Sequence, residues 1–298
     1  MKEVHVHTSV YGSGTSILVR TFLPLHYPLS VREEYLEYQF WDSLQGLSSY
    51  IRGILTSQYI LVSLGVGDSQ ATALNASLLW ACKDGIGIIA SLVFAYTSSD
   101  YFEAYPCEFR LLADILCNIG LFLNMMISLY PDCNVVLTIS SSICFACLGI
   151  AAGATKSKIS SHLARPGYLS DVTAKESTQE TAITLIGMTL GTIITHLIGG
   201  NTSIVWIIFI ISTIIHQYAN FKLVSVLKFY TLNPPRMLLV ADAIYKREKE
   251  KEKDGVELPS VLQVYTQERS FTYFVLPIFI TWYGPQLGAS LEAHLVNF

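Results

Sequence analysis

Lys83 and Asp84 stand side by side in the segment ACKDGIG, inside a long apolar run. An ionisable side chain at the centre of a bilayer costs about 2.5–3.5 kcal/mol on insertion scales, so such residues need partners or water. Adjacent residues on a helix point about 100° apart. The pair is therefore expected not to neutralise itself, and at least one member should address another helix. Two readings stand: the centre of a pathway for a polar substrate or proton, or an interhelical ion-pair lock.

Arg52 and Asp114 are expected at similar depth in their own apolar runs, where they could pair across two helices, or Arg52 could snorkel to the headgroups. Asn118 and Asn124 continue a polar line beyond Asp114, and hydrogen bonding between helices accounts for such residues. A third group, Lys156, Lys158, His162, Arg165, Asp171, Lys175, Glu176, Gln179 and Glu180, is concentrated between two apolar runs. Its cations could hold a phosphorylated ligand or act as anchors on anionic lipid. Thr173-Ala-Lys-Glu176 has the form of a capping box, which assigns Glu176 to a helix start.

Nothing in these groups specifies catalysis. Cys144-x-x-Cys147 lies in an apolar run with no second pair, and His162, His196 and His216 lack metal-type spacing. No phosphate-binding glycine loop, nucleophile elbow or HExxH motif is present. The expectation is a protein that is not an enzyme, with no cofactor and no metal.

The elements that carry these residues follow from composition. A soluble domain is about one-quarter charged, whereas this chain of 298 residues is 14% charged and 51% hydrophobic, with a positive mean hydropathy. Runs long enough for about 30 Å of hydrocarbon can be drawn at Leu47–Val66, Ala71–Ser98, Leu111–Tyr130, Asn134–Thr155, Thr178–Gly199 and Ile204–Val226. The connections GVGDSQ, PDCN and GGNTS carry no lysine or arginine, while Lys156, Lys158, Arg165, Lys175, Lys228, Arg236 and Lys246–Lys253 lie on the other side. By the positive-inside rule both termini are cytoplasmic. The chain is thus expected to be an all-α, multi-pass membrane protein of about six spans. A cytosolic arm would occupy 1–43, the membrane domain 44–227, and a cytosolic helix with a short apolar tail 228–298. Met1–Thr21 holds no apolar run resembling a signal sequence. The sequons at Asn75 and Asn201 lie so close to spans that both are expected to be unglycosylated. Gly149-x-x-x-Gly153 and Gly187-x-x-x-Gly191 set small faces on the fourth and fifth spans, suited to close helix approach.

Phe22–Leu55, reading FLPLHYPLSVREEYLEYQFWDSLQGLSSYIRGIL, is followed in order by LGVGDSQATA, LLWACKDGIG, FRLLADIL, GIAAGATKSKISSHLA, DVTAKESTQET and TLNPPR. This series resembles the root UVB sensitive family, whose shared region is also known as DUF647, from about Phe22 to Ser270. The resemblance implies a membrane-associated protein linked in plants to UV-B responses, early root development, auxin distribution and vitamin B6 homeostasis. It implies no established biochemical activity.

Two functions compete on this reading. In the first, the chain moves a small polar or phosphorylated metabolite, and its six spans resemble half of a major facilitator transporter, where sites lie between two halves. That architecture calls for a homo-dimer or a hetero-dimer with a family member. In the second, it is a membrane scaffold or regulatory partner acting through its cytosolic face. The lipid bilayer is a partner in both, and nucleic acid in neither. Binding or pathway candidates are Lys83, Asp84, Arg52, Asp114, Lys156, Lys175 and Gln179.

Overall fold

The computed structural model describes residues 17–63, 73–230, 233, 236, 237, 239–241, 243, 244, 260, 263 and 264. Among these the chain is helical, with one isolated antiparallel bridge between Val31 and Ala164. A short α1 (Ile17–Phe22) precedes α2 (Tyr35–Ser63), α3 (Ala73–Phe102), α4 (Pro106–Met126), α5 (Asn134–Leu163), α6 (Leu169–Ile198) and α7 (Thr202–Val226). Pro106 opens α4, at a position where its missing N–H costs nothing. Gly199 closes α6 in the left-handed region at φ 59°. The Asn201 side chain accepts from the amides of Ser203 and Ile204, so the second sequon asparagine serves as the cap of α7.

Five of these helices are long and apolar enough to cross a membrane: those within Ser77–Phe102, Pro106–Met126, Pro131–Leu163, Leu169–Ile198 and Thr202–Val226. The all-helical, multi-pass architecture is therefore present. The helix holding the first predicted run, α2, falls short of that apolarity because polar residues recur along it at helical spacing: Gln39, Asp42, Gln45, Ser49, Arg52 and Thr56. Residues 64–66 of that run lie outside the described residues, as does the predicted apolar stretch Phe271–Tyr283.

The helices form two packs. One joins α3 and α4 to α5; the other joins α6 and α7 to α2. Between the packs, α2 also meets α4, whereas α5 and α6 touch sparingly. The second pack is drawn together by the glycines of α6. A Cβ on Gly187 would lie 2.7 Å from Tyr50 Cβ, and one on Gly191 would lie 3.0 Å from Ile54 Cβ. Both glycines thus face α2. Gly149 and Gly153 meet nothing within 4 Å.

Two apolar cores hold the ends. Val31, Tyr35, Ile159, Leu163, Val172, Leu223 and Leu227 form one, and Leu55, Leu121, Met125, Val205 and Phe209 the other. At the first end the segment before α2 is tied to the α5–α6 turn. The Arg32 amide donates to the Leu163 carbonyl and the Arg165 amide to the Ser30 carbonyl, each at 2.9 Å. The Arg165 Nε also donates to the Val31 carbonyl at 3.1 Å, and Glu34 pairs with His162 at 3.0 Å. Burial alone would raise the Glu34 carboxyl, but the His162 contact and nearby positive charge hold it below the usual carboxylate range.

Two sequence expectations need correction. The region after the fourth run is not one long connection: α5 continues to Leu163 and α6 resumes at Leu169. Thr173 consequently lies within α6 and is no cap, because the helix starts a full turn earlier than the capping pattern suggests. Of the segment 1–43 assigned to the arm, Tyr35 and Tyr38 belong to α2 and are buried in its core. The expected helix near Asn233 does start there: the Arg236 amide donates to Asn233 Oδ1, and the described residues from Arg236 to Ile244 are helical.

Gly187→Val should destabilise the protein in detergent by about 1–3 kcal/mol, as overpacking does, while Gly153→Val should leave the thermal midpoint nearly unchanged. An equal loss in both variants would remove the α2–α6 seam from the account. Glu34→Gln should reduce stability at pH 7 by about 1 kcal/mol, read as a lower thermal midpoint. The folded-state pKa of Glu34 is depressed, so its contribution is present above the ordinary carboxylate value of 4.5 and lost as pH falls through the lower folded value. Midpoints measured from pH 3 to 7 should accordingly converge for wild type and variant at the acid end.

Candidate functional site

The polar stripe of α2 cannot face hydrocarbon without unmet hydrogen bonds, and the bundle supplies stripes to meet it. On α4 the matching positions are Arg110, Asp114, Cys117 and Asn118; on α7 they are Thr213, His216, Gln217 and Asn220. Arg52, with no exposed surface, sits where the three converge. Its Nη1 donates to Asn118 Oδ1 at 2.5 Å and to Thr213 Oγ1 at 3.3 Å, and its Nε donates to the Ser48 carbonyl at 3.3 Å. Asn118 Nδ2 in turn donates to Gln217 Oε1 at 2.8 Å.

Toward the α2 amino terminus the stripes part around a cavity of about 200 Å³, walled by α2, α4, α5 and α6. Its floor is Asp114, only 3% exposed. Gln45 Nε2 lies 2.9 Å from Asp114 Oδ1 and 3.1 Å from His216 Nε2. One side is the ion pair of Arg110 with Asp42 at 2.9 Å. Across the cavity, Glu176 accepts from Gln39 Nε2 at 3.0 Å and from the Ser160 hydroxyl. At the mouth, Lys156 of α5 pairs with Glu180 of α6, bridging the helices that otherwise barely meet.

Several buried polar atoms in this region make no hydrogen bond within the protein. In the cavity walls these are Asp114 Oδ2, Gln179 Oε1 and Arg110 Nε; deeper in the bundle are His216 Nδ1, Arg52 Nη2 and both side-chain atoms of Asn124 and of Asn220. Leaving a buried polar group unpaired costs about 1–3 kcal/mol. Three of these atoms belong to residues of the cavity wall, so the polar stripes are not fully satisfied there within the chain. No group of three or more His, Cys, Asp or Glu residues suited to a metal occurs among the described residues.

The candidates read from the sequence fall into three places. Asp114, Lys156 and Gln179 line the cavity, and Arg52 closes the polar column below it. Arg52 does not pair directly with Asp114; Asn118 and Thr213 take the guanidinium, and full burial excludes snorkelling to headgroups. Lys175 donates to the Arg20 carbonyl at 2.6 Å and Gln179 Nε2 to the Phe22 carbonyl at 2.5 Å, so both hold α1 against α6.

Lys83 and Asp84 lie elsewhere, on the outer face of α3, and the expectation that they cannot neutralise one another is overturned. Lys83 Nζ is 3.1 Å from Asp84 Oδ1 and 4.8 Å from the Trp80 ring centroid. The long lysine stem crosses the angle that separates the two Cα–Cβ bonds.

Glu176 is the reverse case: assigned to a cap by its sequence motif, it is buried in the cavity wall. Asp42, Gln45 and Arg110 were not singled out from sequence. The signal that finds them is the spacing of three and four residues in Gln39–Asp42–Gln45–Ser49–Arg52 and in Arg110–Asp114–Asn118.

Comparison with known proteins bears on this arrangement. The family model of the vitamin B6 photo-protection and homoeostasis domain matches residues 11–248. The chain is 38% identical over 234 residues to RUS family member 1 of Dictyostelium discoideum, covering 76% of this chain and 44% of that protein. It is 32% identical over 216 residues to root UVB sensitive 3 of Arabidopsis thaliana, covering 72% and 49% respectively. To the chloroplastic root UVB sensitive 2 of the same plant it is 28% identical over 249 residues, covering 84% and 57%. The chain thus spans about half the length of the curated relatives it matches. No solved structure matches it. The family model spans α1 to α7 and every residue of the cavity wall, and on that ground the chain belongs to the root UVB sensitive family, the family of the vitamin B6 photo-protection and homoeostasis domain.

Proposed function

We propose that this protein is a non-enzymatic carrier or regulator of a small polar metabolite in vitamin B6 homeostasis, with the cavity beside Asp114 as the site that holds it. The observation that carries the reading is a partly open cavity lined by charged and amide side chains inside an apolar bundle, with Asp114 Oδ2 and Gln179 Oε1 unpartnered in its wall residues. Its size, about 200 Å³, lies below the several hundred Å³ of drug-sized pockets and suits a small solute. The family's description supplies the metabolic context.

The proposal includes α2 as a sixth span, its polar stripe turned inward, and places the cavity mouth on the cytoplasmic side with both termini, as the distribution of lysine and arginine supports. It retains the resemblance to half of a major facilitator transporter, which a second copy or another family member would complete. A regulatory scaffold is the second reading. It is favoured by exposed Leu36 and Phe40 beside an open groove between α2 and α6, a surface suited to a protein partner.

Reconstituted into liposomes, the full chain should take up pyridoxine-type vitamers. Asp114→Asn should slow uptake of pyridoxamine about tenfold or more, whereas Lys83→Ala and Asp84→Asn should retain most of it. Absence of uptake and of binding for every vitamer, with partner capture through the α2–α6 groove intact, favours the scaffold. Orientation has its own measurement. A cysteine at Lys158 should react with impermeant maleimide from the cytosolic side, and one at Thr202 from the opposite side; the reverse pattern inverts the proposed topology.

A further inference from the structure

The charges in the cavity wall are unequal. Four carboxylates, Asp42, Asp114, Glu176 and Glu180, face two cations, Arg110 and Lys156. Both cations are already engaged, Arg110 by Asp42 and Lys156 by Glu180. Arg52 does not line the cavity, but its charge, directed to the neutral acceptors Asn118 and Thr213, still acts on Asp114 from below, so the wall keeps one carboxylate in excess. Of the carboxylates without a cation partner, Glu176 has both oxygens occupied by Gln39 and Ser160. Asp114 alone among the four holds an oxygen, Oδ2, that is buried and unpartnered.

Three atoms of wall residues have no partner in the protein and are covered by their neighbours: Asp114 Oδ2 and Gln179 Oε1 are acceptors, and Arg110 Nε is a donor. A solute that reached all three after side-chain rotation would present two donors and one acceptor. The donor facing Asp114 is best charged, since a charge-assisted hydrogen bond is about twice as strong as a neutral one. A phosphate monoester meets the opposite conditions: it has acceptors where the wall has acceptors, and it brings negative charge to a wall with surplus carboxylate. Poor screening inside the bundle sharpens that discrimination.

We infer that the cavity selects a small solute bearing a protonated amine, which Asp114 binds, together with a hydroxyl or similar group for Gln179 and Arg110, and that it rejects phosphate esters. The inference rests on the proposed reading of the cavity as a solute site, and it replaces the phosphorylated ligand that Lys156 and Lys175 suggested in the sequence. Those two lysines are held by Glu180 and by the Arg20 carbonyl.

The test uses the full chain in lipid nanodiscs and three probes that share one ring: pyridoxamine, with its protonated aminomethyl group, neutral pyridoxine, and pyridoxamine 5′-phosphate. Calorimetric titration at pH 7 should give pyridoxamine the tightest binding, about tenfold ahead of the phosphate ester. Asp114→Asn should lose about tenfold for pyridoxamine while changing pyridoxine by no more than about twofold. Asp114→Glu, which restores the charge, should recover part of the preference, and thermal midpoints of both variants establish that they are folded. Tighter binding of the phosphate ester, or an equal loss for pyridoxamine and pyridoxine in folded Asp114→Asn, overturns the charge assignment and leaves a solute cavity standing. Failure of the wild-type chain to bind any of the three overturns the solute cavity itself, and the inference with it.

Discussion

A guanidinium removed from water inside an apolar bundle dictates much of what surrounds it, because each of its N–H groups needs an acceptor that lipid tails cannot provide. Arg52 obtains acceptors from its own helix, from α4 and from α7. That requirement fixes the rotation of α2 about its axis and brings the polar stripes of three helices to a common line. The apolar remainder of each helix then turns outward, which explains why Ile115 and Ile119 of α4 and Ile207 and Ile214 of α7 are exposed in the isolated chain: in a bilayer those side chains meet hydrocarbon. The cavity forms where the stripe continues beyond the reach of Arg52 and the helices α5 and α6 diverge.

The architecture was largely legible in the sequence, and for a physical reason. Hydrocarbon thickness sets run length, so the apolar runs beginning at Ala71, Leu111, Asn134, Thr178 and Ile204 each correspond to one helix of the structure, although the second outlasts α4, which ends at Met126. What run length cannot show is how far a helix continues into the polar zone, which is why α2, α5 and α6 exceed their predicted runs at the cavity end. The site was legible only in part. Asp114 and Arg52 announce themselves as isolated charges in apolar surroundings, whereas Gln45 and Asp42 sit in a segment polar enough to pass for a solvated arm. Glu176 was hidden differently, by a local motif that fits a helix start equally well; only tertiary packing brings Ser160 and Gln39 to it. Lys83–Asp84 drew attention through sequence context, yet a one-residue separation and a flexible stem let it satisfy itself on the surface of α3.

The arm before α2 links two levels of this organisation. Lys175 and Gln179 hold the backbone of α1, Leu25 donates to Asp171, and the Val31–Ala164 bridge ties the chain to the α5–α6 turn. Gln179 also faces the cavity. One side chain therefore touches the space in the bundle and the segment that covers its end.

The α6 glycines have a mechanical side. With Gly187 against Tyr50 and Gly191 against Ile54, α6 and α2 interlock like meshed teeth, so neither slides along the other without a steric collision. The seam between α5 and α6 is of another kind, joined at the cavity by the Lys156–Glu180 ion pair and the Ser160–Glu176 hydrogen bond rather than by interlocked side chains. One wall of the cavity is thus held by shape and the opposite one by charge and hydrogen bonding.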